Sequence, residues 1–282
     1  MMMLRVKKMP CFWRGIKFLT LKLSAVLGAA VLVVLSVVSA RSAPINSMLG
    51  IDVNSEAEKP TAADYVQDGL VAMWDGIENV GWGTHDPSAT TWVDLSGTGF
   101  IPRFRGANIV WGTNYLGNTD GLSNQFYVDG LGLNTMLSNK NFTIDMVFEC
   151  VSGNFIFSAN NETARGFWVW LWNRTTPAYT YWQGNNSNFQ KGQTDLVNQF
   201  TCTGSGIYIN GQLVKMITSG SAYTVGRDRL MIGSYQSPGG DFHKTTSHSN
   251  MNIYRMAIYE RSLTDEEIAH NYEIDRLRFG LK

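Results

Sequence analysis

From Tyr65 onward the chain alternates apolar and polar residues in short runs. Period-two runs of this kind are strands with one face buried. The plainest is Phe142-Thr-Ile-Asp-Met-Val-Phe-Glu-Cys150. Ile144, Met146, Phe148 and Cys150 share one face; Thr143, Asp145 and Glu149 share the other, which reads as a wet face. Similar runs lie at 69–75, 153–158, 166–172, 199–203, 229–234 and 251–259. Asn210-Gly211 stands between Gly206-Ile-Tyr-Ile209 and Gln212-Leu-Val-Lys215. Asn-Gly suits a type I′ hairpin turn, because both positions need positive φ. Turn residues recur about every ten positions, and no long helical pattern separates the strands. The pattern predicts an all-β, antiparallel, two-sheet sandwich of jelly-roll type, not an alternating βα sheet.

One helix is expected, near the carboxyl end. Thr264 caps it, and Glu267 three residues on completes a capping box. Asp265, Glu266 and Glu267 occupy the first turn, where the helix dipole favours acids. Ile268, Ala269 and Tyr272 supply its apolar side, and such a helix is expected to pack at one end of the sandwich.

The first residues read differently. Arg5, Lys7, Lys8, Arg14, Lys17 and Lys22 precede Leu23 to Ala40, an uncharged apolar run. That order is an export signal, with Val38-Ser39-Ala40 suited to cleavage. An uncleaved anchor is the alternative, since the run is near the minimum length for a bilayer span. Either reading places the remainder outside the cytoplasm, secreted or membrane-anchored. The expected organisation is 1–43 signal or anchor, 44–64 linker and 65–282 sandwich domain.

Composition narrows the function. The formal net charge is zero and only 16% of residues are charged. No basic footprint for nucleic acid exists, and the membrane is touched only through the amino-terminal segment. Cys11 lies in the export segment. Cys150 and Cys202 remain, either as one disulfide or as two small buried hydrophobes.

Four stretches together resemble the laminin-G-like, concanavalin A-like lectin family. They are Trp92-Val-Asp94-Leu-Ser-Gly97-Thr-Gly99, Phe142-Thr-Ile-Asp-Met-Val147, Ile207-Tyr-Ile-Asn-Gly-Gln-Leu-Val214, and Ile253-Tyr-Arg-Met-Ala-Ile-Tyr-Glu-Arg-Ser-Leu-Thr-Asp-Glu-Glu-Ile268. They follow the family's order. The resemblance implies a jelly roll with one concave sheet, and carbohydrate-binding or adhesive roles, with some glycosidases. It also raises calcium, through Asp94, Asp120, Asp129 or Asp241, though Asp is an ordinary turn residue too. No other cofactor is implied.

The glycosidases of that superfamily place carboxylates at i, i+2 and i+4 of one strand. Here the nearest approach is Asp145 and Glu149, with Val147 between them. At strand rise they stand about 13 Å apart, whereas a retaining pair needs about 5–5.5 Å. No catalytic residues are expected. His85, His243, His248 and His270 show no metal-ligand spacing.

Phe167-Trp-Val-Trp-Leu-Trp172 carries the strongest local signal. Phe167, Val169 and Leu171 offer the core an aliphatic face. Trp168, Trp170 and Trp172 then fall on the other, where Tyr179, Tyr181 and Trp182 of the next run could join them as a sugar-stacking surface. The opposite arrangement, with the indoles in the core, stays open. The expected function is a non-catalytic, extracytoplasmic module that binds a glycan or a surface protein. The alternatives are a structural or protein-interaction component, as in a surface or phage-derived fibre, and, third, a glycosidase.

Overall fold

Residues 58–105, 109–117, 125–153, 155–160, 166–171, 178–183, 186–191, 197–217, 228–234 and 249–282 are described by a computed structural model. Between positions 152 and 191, side chains are described only for 156–159 and Val169.

The alternation of the Phe142 run produces the longest interior strand. β6 (Thr143–Gly153) sits between β11 (Val197–Thr203) and β15 (Ser249–Tyr259), antiparallel to both. β12 (Gly206–Ile209) and β13 (Gln212–Met216) extend that sheet on the β11 side. On the far side of β15 lie β1 (Leu70–Asp75) and, along its other half, β4 (Leu116–Gly117), which pairs with β3 (Val110–Trp111). These strands make sheet A. Sheet B runs in the order β10 (Asn186–Lys191), β9 (Ala178–Gln183), β8 (Gly166–Leu171), β7 (Phe155–Asn160), β14 (Arg229–Ile232), β5 (Phe126–Asp129) and β2 (Arg103–Phe104). Every described pairing is antiparallel, as the alternation predicted.

The two sheets enclose the main core. Ile144, Met146 and Phe148 of β6 meet Phe157, Val169, Leu230 and Ile232 of sheet B there. Trp92, from the Trp-x-Asp stretch, is buried edge-on to Trp111 and Phe126. Its indole N–H donates to the Asp75 carbonyl at 2.9 Å, so the one polar atom of a large ring is satisfied. Short helix α1 (Leu133–Asn139) closes one connection and was not anticipated; its seven residues are too few to show a helical period.

Helix α2 (Asp265–Phe279) forms where the capping box placed it. The Thr264 side chain accepts from the Glu267 backbone, and Glu267 accepts from the Thr264 backbone. Its position differs from the expectation. It lies over the outer face of sheet A, and the residues it buries are Ile268, Asn271, Ile274 and Asp275. Ala269 is exposed. The apolar-stripe reading failed because half of the buried face is polar. The molecule thus has three layers: sheet B, sheet A and α2.

One compact unit spans Lys59–Lys282. Ala62 is fully buried, and its N–H donates to Glu78 at 2.8 Å. Among the described residues no helix is long and apolar enough to cross a membrane; residues 1–43 lie outside them.

Candidate functional site

Between sheet A and α2 lies a buried polar seam. Arg255 of β15 has no exposed surface. Its guanidinium donates to Asp145 of β6 at 2.7 Å and to both oxygens of Asp275 of α2 at 2.7 and 2.8 Å. Tyr65 stacks over it at 4.3 Å and donates its hydroxyl to Asp275. Thr201 donates to Asp145, and Gln199 donates to Asp275. Beside this set, Arg278 pairs with Asp75 at 3.0 Å and with Glu78 at 2.9 Å.

The seam therefore packs four carboxylates against two guanidiniums, away from water. Burial pushes the Asp75 carboxyl up to about 6, against the opposing pull of Arg278. Burial likewise raises Asp275, partly countered by Arg255. These groups pair with one another and join helix to sheet, although the buried Arg255 Nη1 has no hydrogen-bond partner among the described residues.

This corrects the wet-face reading of the Phe142 strand. Asp145 is buried beneath α2, because a guanidinium awaits it there. Glu149, half-buried, accepts from the Asn252 amide at 2.8 Å. The two acids thus serve separate partners.

Asp94 organises a turn. Its carboxylate accepts from the backbone N–H groups of Met73, Ser96, Gly99 and Phe100 at 2.9 to 3.0 Å. The hydroxyls of Ser96 and Thr98 also lie within 2.9 Å. Donors surround it, where a cation site would need further oxygen acceptors. Asp129 forms a two-pronged pair with Arg229, 2.9 Å at Nη2. Asp120 and Asp241 lie outside the described residues, as do His243 and His248.

Cys150 and Cys202 do not pair with each other. The register sets Cys202 opposite Ile144, while Cys150 stands six positions further along β6. That is about 20 Å at strand rise, far beyond the Cα separation a disulfide allows. Burial pushes the Cys202 thiol well up, as suits an inert core side chain.

The aromatic run folds as β8. Val169 is fully buried in the main core and stands opposite Phe157. Trp168 pairs in register with Trp182 of β9, Val169 with Tyr181, Trp170 with Thr180, and Leu171 with Tyr179. Cross-strand partners share a face. The register therefore groups the positions of Trp168, Trp170 and Trp182, and sets Tyr179 and Tyr181 with Val169 and Leu171. Of the three aromatic residues expected to join the tryptophans, the register keeps the Trp182 position with them and sets Tyr179 and Tyr181 with the other face. Period-two counting within one strand could not sort the three, because register depends on a turn outside the run. Trp172 and the side chains of Trp168, Trp170, Tyr179, Tyr181 and Trp182 lie outside the described residues.

No family model matches the chain, and no curated protein matches it. Solved structures do. A botulinum neurotoxin type C structure, whose description makes its uptake by cells dependent on two ganglioside molecules, aligns with TM-score 0.51 at 14% identity. The binding domain of botulinum neurotoxin DC in complex with rat synaptotagmin II aligns with TM-score 0.51 at 17% identity. The same binding domain in complex with SialylT gives 0.51 at 16%. Each alignment covers 74% of this chain and 51–52% of the other, so the chain spans about half the length of these structures. At such identity the likeness is one of fold. The protein folds as an antiparallel two-sheet β sandwich with a carboxyl-terminal helix.

Proposed function

We propose that this protein is a non-catalytic binding module of laminin-G-like type that recognises a glycan outside the cytoplasm. The observation that carries the reading is the register of β8 and β9. It brings Trp168, Trp170 and Trp182 onto one set of positions on adjoining strands, while Val169 between them is held in the core. Flat rings beside amide and hydroxyl residues are the usual means of holding a pyranose. The likeness to receptor-binding domains supports the same class. The basic and apolar order of residues 1–40 supports export, and a reporter fused after Ala43 is expected outside the cytoplasm. Activity confined to the cytoplasm would remove that part of the reading. Calcium is proposed only as an optional partner of the regions around Asp120 and Asp241.

Binding of the full chain to an array of immobilised oligosaccharides tests the proposal. Trp168→Ala and Trp182→Ala are expected to weaken binding several-fold, because a stacked ring contributes roughly 1–3 kcal/mol in the comparable case of bases. Trp170→Ala decides the alternative. A near-native denaturant midpoint keeps the surface reading, whereas a loss of about 3–5 kcal/mol marks that indole as core. The Asp145 and Glu149 carboxylates are engaged elsewhere, so no hydrolysis of β-glucans is expected. Turnover abolished by Glu149→Gln would overturn this.

A protein partner is the second reading. Strand β13 is the last in the described order of sheet A and exposes Leu213 and Met216. An edge with exposed apolar side chains is a place where another chain can add a strand.

A further inference from the structure

The connection from β1 to β2 carries Trp82 in the sequence Gly81-Trp82-Gly83-Thr84-His85. Trp82 is 49% exposed, while the other described tryptophans of the core, Trp74, Trp92 and Trp111, are buried. A large exposed ring on a slack loop would mean little. This loop is not slack.

Two buried side chains fix its backbone. Glu78 is 4% exposed; its Oε2 accepts from the Gly83 N–H at 2.8 Å, directly after Trp82. Its Oε1 is held by the Ala62 N–H and by Arg278, so the acid is anchored in the seam below α2. Asn79 is fully buried and clamps Asp86 twice, donating to its carbonyl and accepting from its N–H, each at 2.8 Å. The Thr84 N–H closes back on the Gly81 carbonyl at 3.0 Å. Gly83 holds φ of +69°, which a residue with a Cβ adopts only under strain. The backbone on both sides of the indole is thus set by buried polar groups, although the ring itself remains half in water.

His85 adds a second oriented group. Its Nδ1 lies 2.9 Å from the Gly76 carbonyl. A carbonyl only accepts, so Nδ1 carries the proton and, in the neutral ring, Nε2 is an acceptor. The same loop carries the exposed Thr84 and Ser88 and the half-buried Asp86, whose carboxylate accepts from the Ser88 hydroxyl at 2.6 Å. A loop with one half-exposed flat ring, hydroxyls, a carboxylate and an imidazole acceptor suits a sugar ring, which has an apolar C–H face and hydroxyls at its edge. A protein hot spot would need apolar neighbours to exclude water around the ring, and the residues flanking Trp82 in the chain are Gly81, Gly83 and Thr84.

We propose that the Trp82 loop is a saccharide subsite separate from β8 and β9, with Trp82 stacking on a pyranose and His85 Nε2 accepting a hydroxyl. The inference rests on the glycan-binding reading above. Its advantage is preorganisation: the loop gives up little conformational freedom when the sugar arrives.

The test compares full-length wild type, Trp82→Ala, Trp82→Phe, His85→Ala and Trp168→Ala on the same oligosaccharide array, each with a thermal melt. Trp82→Ala is expected to bind about fivefold to tenfold more weakly, with Trp82→Phe intermediate and both melts near wild type. His85→Ala is expected to weaken only glycans that Trp82→Ala also weakens. Binding lost in Trp168→Ala but unchanged in Trp82→Ala overturns this subsite and leaves the glycan-binding reading standing. A wild-type chain that binds no oligosaccharide overturns both.

Discussion

Single residues settle two features of the molecule. Asn210 and Gly211 both hold positive φ, at 50° and 71°, so the hairpin turn has the geometry that Asn-Gly implied. The turn does more than reverse the chain. The Gly211 N–H donates to the Gln199 side chain, whose amide in turn donates to Asp275 of α2. A Cβ on Gly211 would stand 3.0 Å from Tyr272, so strain and crowding act together. Gly211→Val is expected to lower stability by about 1–3 kcal/mol, read as the denaturant midpoint; an unchanged midpoint contradicts the turn's role.

Asp75 is the second. Its folded carboxyl titrates near 6, above the ordinary value of 3.8. A raised acid stabilises the fold below its unfolded value and loses that contribution as pH rises through the folded value. Asp275 acts in the same sense. The protein is therefore expected to be more stable at pH 5 than at pH 8, by about 1–1.5 kcal/mol from Asp75 alone. In Asp75→Asn the difference should shrink clearly, as measured by melts across that range. Equal slopes in the two proteins would show that another group governs the window.

At the scale of elements, strands were legible and their outer neighbours were not. β6, β8, β11, β14 and β15 follow from alternation, and α2 from its cap. β2, β3 and β4 have two residues each, which is too short for any period to show. The buried side of α2 was hidden for a different reason. Asn271 and Asp275 are polar and so stand outside the apolar side that the pattern offers; they are interior because Asp145 and Tyr259 of sheet A meet Asn271 and Arg255 meets Asp275. Pattern reading assumes that polar means wet, and ion pairing breaks that rule. Arg255→Met is expected to cost about 3–5 kcal/mol, because it leaves Asp145 and Asp275 buried without their cation. A loss under about 1 kcal/mol would mean that water reaches the seam. The aromatic site was half legible. The sequence singled out Trp168, Trp170 and Trp182, while only register could set Tyr179 and Tyr181 apart from them.

The folded unit is a two-sheet sandwich in which α2 covers part of the outer face of sheet A. Some contacts of α2 span most of the chain. Asp275 meets Tyr65 across 210 positions, and Arg278 meets Asp75 across 203. β15, the strand that pairs with both β1 and β6, is also late in the chain. Contacts of such long range make folding slow, since loop closure must precede reward. During synthesis β1, β6 and β11 of sheet A emerge well before β15 and α2, which bring Arg255 and Asp275 to Asp145. Until the chain has grown as far as Gly280, the seam is a set of charges with no lid, and a finished native state is out of reach. On the export reading proposed above, that delay is useful, because a chain that cannot lock early stays slack enough to be threaded.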